Sequence, residues 1–259
     1  MTETTLVVLV CLLVGPVIGS FLTVVAHRVP AGGSIVRPPS ACDACGTRLG
    51  PRDLVPIVSW LLTRGRCRHC GTHIGPEPPL IELATTALFV AFGLRFGPSI
   101  ELVAFCVLAS ALVALSAIDL RTQRLPREIT YTTIVMSAPI LAVAALAGDE
   151  PQRILGMLLG ALVATGIMGL IHVAARGGMG DGDVRLAPLL GLHLGWLNPG
   201  IVPVGLFFGF LLGAVVGVAI MATHRGDRRT AVPFGPFLAA GTVLAVFVGQ
   251  NFVDLLLQR

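Results

Sequence analysis

Long apolar runs separated by short polar loops dominate the pattern along this chain. Runs long enough to cross about 30 Å of hydrocarbon occupy residues 6–26, 80–96, 102–118, 131–146, 154–175, 184–197, 201–223 and 234–257. The pattern predicts an all-α, polytopic membrane protein of about eight transmembrane helices. The sixth run is the shortest, roughly 21 Å at about 1.5 Å per residue. It carries Arg185 and Pro188 and is interrupted at Gly191, His193 and Gly195, so a tilted, broken or partly re-entrant segment is expected there.

Composition strengthens this picture. With 54% hydrophobic and 12% charged residues and a mean hydropathy of +0.87, the chain is too apolar for a soluble domain of 259 residues. The first run has no basic stretch before it and is followed by Arg28, so it reads as a retained span rather than a cleaved signal. All 18 basic residues are arginine. Eight spans with an external N-terminus place fifteen of them on one side, including Arg225, Arg228 and Arg229, and leave only Arg95, Arg153 and Arg259 on the other. The positive-inside rule makes the first side cytoplasmic. Topology thus accounts for the net charge of +4, and no nucleic-acid partner is expected.

One cytoplasmic loop differs from the others. Residues 27–79 carry prolines, charges and four of the six cysteines, dividing the chain into a first helix (1–26), a loop domain (27–79) and a membrane core (80–259). Cys42 and Cys45 form one C-x-x-C knuckle and Cys67 and Cys70 another, with Gly46 and Gly71 directly after them. A reducing compartment disfavours two disulfides and favours a structural zinc held by four thiolates, with His69 and His73 as weaker candidate ligands. Too few apolar residues are present for an independent core, so the loop is expected to depend on its metal. Cys11 and Cys106 lie in spans and read as small buried hydrophobes. Trp60 and Trp196 read as interfacial anchors, and Gly209, Gly213 and Gly217 as a close-packing helix face.

Two aspartates carry the chemistry. Asp119 ends the third span just before Leu125-Pro126, and Asp183 closes the run Gly178-Met179-Gly180-Asp181-Gly182-Asp183 at the start of the sixth. Both are expected at the same membrane face. Carboxylates at a membrane boundary are costly, so a pair on one side suggests a shared task. Two adjacent carboxyls hold one proton between them, which suits hydrolysis: one deprotonates water while the other polarises the scissile carbonyl and protonates the leaving amine. The glycines would let an extended peptide approach through close contacts and unusual dihedrals. Asp181 is an equally available carboxylate at this level of argument. Glu82, near the start of the second span, reads either as a helix N-terminal charge or as a functional group.

These residues occur in a familiar combination. Gly19-Ser20-Phe21-Leu22, His27-Arg28-Val29-Pro30, the two cysteine knuckles, Arg64-Gly65-Arg66-Cys67-Arg68, Pro79-Leu80-Ile81-Glu82, Ile118-Asp119-Leu120 and the Gly-x-Gly-Asp segment ending at Asp183 resemble the type IV prepilin peptidases. The resemblance runs to about residue 196, and the chain departs from the usual pattern at Thr23, Pro78 and Arg127. It implies a bacterial inner-membrane aspartyl endopeptidase with Asp119 and Asp183 catalytic, Gly180 and Gly182 supporting them, and Asp181 at the variable motif position. It also implies prepilin or pseudopilin substrates cut at the cytoplasmic face. In bifunctional members, S-adenosylmethionine-dependent methylation of the new N-terminus follows, and Glu82 is a candidate for substrate or methyl-transfer work. Basic leaders would be helped by acidic groups such as Glu82, Asp43 or Asp53. Alternative readings are a peptidase-only member, a presenilin-like or preflagellin-type Gly-x-Gly-Asp protease, and a proton-coupled transporter. The last would place its carboxylates near the bilayer midplane between repeated halves, and no such repeat is present.

Overall fold

A computed structural model describes residues 3–176, 178–223 and 232–257. Arg225, Arg228, Arg229 and Arg259 of the charge argument lie outside the described residues. The described secondary structure is helical apart from two isolated bridges in the cysteine loop. The elements are α1 (Glu3–Arg28), α2 (Val58–Leu62), α3 (Glu77–Phe96), α4 (Ile100–Thr122), α5 (Arg127–Ala147), α6 (Gln152–Ala174), α7 (Asp181–Leu197), α8 (Ile201–Ala222) and α9 (Gly235–Leu257). Seven of these, all but α2 and α7, are long and apolar enough to cross a membrane. The chain is an all-α, multi-pass membrane protein.

Two compact units divide the chain, Met1–Leu102 and Val103–Arg259. In the first, α1 and α3 run antiparallel, and glycines set their approach. A Cβ on Gly15 would lie 2.7 Å from Thr86 Cα, and one on Gly19 would lie 2.5 Å from Glu82 Cα. Small residues four apart let two apolar helices bring their backbones together where no hydrophobic effect drives association. Cys11 is buried against Gly93, as expected of a small hydrophobe.

In the second unit the buried core gathers on α4 and α7. Phe105, Leu108, Leu112, Leu115 and Ile118 of α4 are fully buried, as are Leu186, Leu189, Leu190 and Leu194 of α7. The short α7 is therefore enclosed by protein, which removes the need for a full membrane length. It runs as one continuous helix through Pro188, so of the expected tilted, broken or re-entrant forms the broken one is excluded. Its glycines form a seam instead. Gly191 and Gly195 of α7 meet Gly160 and Gly156 of α6, and a Cβ on Gly160 would run into Gly191 O. His193 is also interior, with Nδ1 2.9 Å from Leu189 O and its ring edge-on to Phe105.

The glycine row of α8 behaves as expected in part. Gly209 packs against Leu238 of α9 and Gly213 against Phe234, just before α9, and Phe237 within it, while Gly217 faces open space. Trp196 is interior and not the expected interfacial anchor. Trp196 is buried beneath the Arg153 guanidinium, 4.5 Å from the ring centroid. Trp60 donates its indole N–H to the carbonyls of Ile74 and Gly75 within the cysteine loop.

Candidate active site and candidate metal centre

Asp119 occupies the last turn of α4. The helix ends soon after it because Gln123 turns into the left-handed region (φ 53), donating its N–H back to Asp119 O, and Pro126 holds extended backbone before α5. Asp119 is only 5% exposed, and its Oδ2 accepts the Gly235 N–H at 2.8 Å. Gly235 is the first residue of α9, so the carboxyl sits at that helix's amide-rich end. A Cβ there would lie 2.9 Å from Asp119 Oδ2, so only glycine leaves room.

Asp183 lies in the first turn of α7 and is 8% exposed. Its own turn and the start of α9, which holds Asp119, both pack on Leu125. Leu125 helps define the space between their supports. A Cβ on Gly182 would meet Leu125 Cβ at 3.0 Å, and one on Gly235 would meet Leu125 Cδ2 at 3.1 Å. Gly182 thus gives close approach to Leu125. Unusual dihedrals do not occur at Gly180, which is extended (φ −68, ψ 139); among the described residues of this turn, Arg176 (φ 44) is left-handed.

Asp181 has a different setting. Its side chain is 69% exposed, with Oδ1 3.4 Å from His172 Nε2 and Oδ2 3.9 Å from Arg185 Nη2. His172 Nδ1 also lies 3.1 Å from Met179 O, so Asp181 and His172 tie the glycine turn to the end of α6. Arg185 therefore pairs with Asp181, while Asp183 is the buried carboxyl beside Asp119.

Glu82 is not a helix-terminal charge. It lies in the second turn of α3, is 6% exposed, and its Oε2 accepts the Ile57 N–H at 2.6 Å. Ile57 is left-handed (φ 61), a conformation costing a β-branched residue about 1 to 3 kcal/mol. The buried carboxylate thus holds a strained loop residue against the helix pair. Asp53 is also occupied structurally: Oδ2 accepts the Gly50 N–H at 3.1 Å and Oδ1 pairs with Arg68 Nε at 2.8 Å. Those two contacts hold the Asp53 carboxyl below the usual carboxylate range. Asp43 is exposed.

The cysteine knuckles are two copies of one local structure. Cys42 N–H bonds to Thr47 O and Gly46 N–H to Cys42 O; Cys67 N–H bonds to Thr72 O and Gly71 N–H to Cys67 O. Gly46 (φ 69) and Gly71 (φ 73) make both turns with left-handed backbone. All four Sγ atoms fall within 4.8 Å of one another, and the Cys42 and Cys70 sulfurs are 3.8 Å apart. That separation matches the roughly 3.8 Å edge of a tetrahedron with metal–sulfur bonds of about 2.3 Å. It is far beyond a disulfide bond of about 2.05 Å. Thr72, through its hydroxyl and then its amide, pulls the Cys70 thiol down to about 6, and Thr47 lowers Cys45 in the same way. The cluster can hold a metal ion with the four cysteines alone.

One contributor was missed in the sequence. After Trp196 the sequence points to membrane insertion and the Gly209, Gly213 and Gly217 packing face, yet Gly235 reaches Asp119. The available signal was Gly235-Pro236 opening an apolar run, because proline suits the first helical turn and leaves neighbouring amides free.

The fold and these two centres define a multi-pass helical membrane protein with a buried carboxyl pair and a tetracysteine cluster. Residues 13–96 match the bacterial peptidase A24 N-terminal domain, and residues 106–218 match the type IV leader peptidase family. The chain is 35% identical to a prepilin leader peptidase/N-methyltransferase of Bacillus subtilis, over 93% of this chain and 94% of the relative. It is 36% identical to a protein of the same name from Burkholderia pseudomallei, over 95% of this chain and 86% of the relative. A Pseudomonas aeruginosa protein, again of that name, is 31% identical over 97% and 93%. No solved structure matches. The chain belongs to the type IV leader peptidase family. Gly235 lies beyond both matched segments.

Proposed function

We propose that this protein cleaves the basic leader from type IV prepilins or pseudopilins with Asp119 and Asp183 as the catalytic pair, at the cytoplasmic face of a bacterial inner membrane. The observation that carries this reading is two buried carboxyls on different helices, α4 and α7, with Leu125 packed against the glycine supports of both. One carboxylate takes a proton from water as the water oxygen attacks the scissile carbonyl. Its protonated partner donates a hydrogen bond to the carbonyl oxygen. Collapse of the tetrahedral intermediate breaks the C–N bond, and a carboxyl proton passes to the leaving amine. Gly182 and Gly235 keep the carboxyls accessible and oriented.

Residues 27–79 act in this reading as a zinc-stabilised domain between the first helix (1–26) and the peptidase core (80–259). Zinc bound by Cys42, Cys45, Cys67 and Cys70 would be structural, since four thiolates leave no position for water. The relatives' shared name supports a second activity, methylation of the newly exposed N-terminus, for which S-adenosylmethionine supplies the methyl group. Glu82 is committed to Ile57, so its contribution to either activity is indirect.

Purified protein reconstituted with a prepilin tests this reading. Product mass should show loss of the leader, with one further methyl group when isotopically labelled S-adenosylmethionine is present. An uncut prepilin would overturn the peptidase assignment, and a cut, unmethylated product would limit the chain to peptidase work.

A further inference from the structure

The loop domain has an apolar side that the metal does not explain. Between exposed Arg52 and Arg64, every one of residues 54–62 except Ser59 is apolar. Leu54, Val55, Val58, Leu61 and Leu62 remain between 45% and 73% exposed. Such a run around a five-residue helix would be anomalous in water.

Its depth is fixed by contacts within the first unit. Glu82 holds the Ile57 amide, and the backbone at Glu82 rests on Gly19 of α1. Gly19 precedes Arg28, the last residue of α1, by nine residues, or roughly 13 Å at about 1.5 Å per residue. On either side of Glu82 along α3, Leu80 and Leu83 are exposed, as is Phe21 on α1. Exposed leucines on helices that cross a membrane face acyl chains. Ile57 is therefore pinned where its neighbours already present lipid-facing side chains, and left-handed backbone at Ile57 and Arg64 turns the chain there.

We propose that residues 54–62 form a membrane-embedded anchor, with α2 lying at the acyl-chain boundary of the bilayer. Exposed Arg52, Arg64 and Arg66 bracket this anchor and suit anionic headgroups. The same arginines oppose a substrate segment carrying a basic leader, so lipid is the occupant that the charge favours. The placement of the anchor uses only the first unit and the apolar helices; the choice of lipid over substrate rests on the peptidase reading.

Photolabelling of the wild-type protein tests it. The protein is reconstituted in vesicles of phosphatidylcholine and phosphatidylglycerol containing a lipid with a diazirine on its acyl chain. Trypsin then releases residues 53–64 as one peptide. Adducts are expected on Leu61 and Leu62 within about twofold of the yield on Leu80 and Leu83 of α3. No adducts on this peptide, or stronger labelling there by a water-soluble diazirine, would overturn the anchor. Loss of the lipid adducts on addition of prepilin would assign the face to substrate and also overturn it.

Discussion

At the scale of single residues, neighbours decide what each carboxylate does. Asp181 and Asp183 are two positions apart, yet one is exposed against His172 and Arg185 while the other is buried beside Asp119. Gly235 is as specific, since its amide holds Asp119 and its missing side chain leaves space for the carboxyl. Gly235→Ala should lower kcat about tenfold to a hundredfold, through displacement of Asp119, with a smaller change in KM. Steady-state prepilin cleavage would show this, and unaltered kcat would deny Gly235 a positioning role. At the metal centre, Thr72 keeps Cys70 ionised down to about 6. A metal ligand must lose its proton, so Thr72→Val should weaken zinc binding at pH 7, with the deficit shrinking as pH rises toward 10. Competition with a chromophoric chelator at several pH values would test this; a pH-independent deficit would contradict it.

At the scale of elements, glycine seams organise the helix pairs. The contacts of Gly160 with Gly191 and Gly195 leave no room for a side chain, whereas Gly166 on the same helix faces open space. Gly160→Leu should destabilise the protein by about 3 kcal/mol or more, and Gly166→Leu should be nearly neutral, in thermal unfolding in detergent. Equal effects would deny the seam. The helices themselves were legible because continuous apolar length is a strong signal. What could not be read was the role of α7's glycines. Gly191 and Gly195 look like helix weaknesses in one dimension and become a contact surface only beside Gly156 and Gly160. Trp196 departs from its expected place for a related reason: it sits near a polar boundary in sequence but packs under Arg153 from another segment. The two C-x-x-C knuckles were legible because each is a local turn whose spacing is its geometry.

At the scale of the whole molecule, a polytopic scaffold carries two centres with different demands. The metal cluster stands on loop turns with little core of its own. Removing the metal with a strong chelator should therefore raise tryptic cleavage at Arg48, Arg66 and Arg68 while the membrane helices keep their circular-dichroism signal; unchanged cleavage would show the loop to be self-sufficient. The carboxyl pair, by contrast, depends on long-range assembly, since α4, α7 and α9 each contribute to it. Topology in the sequence leads to the expectation that Asp119 and Asp183 share one face, while the setting of Asp119 at the start of α9 needed the fold. The central claim is that these two residues act as one unit. Cleavage of a reconstituted prepilin by wild type, Asp119→Asn, Asp183→Asn and Asp181→Asn tests it most directly. Loss of cleavage in the first two variants, with most of it retained in Asp181→Asn, is the predicted result. Substantial cleavage by Asp119→Asn or Asp183→Asn, or loss confined to Asp181→Asn, would contradict it.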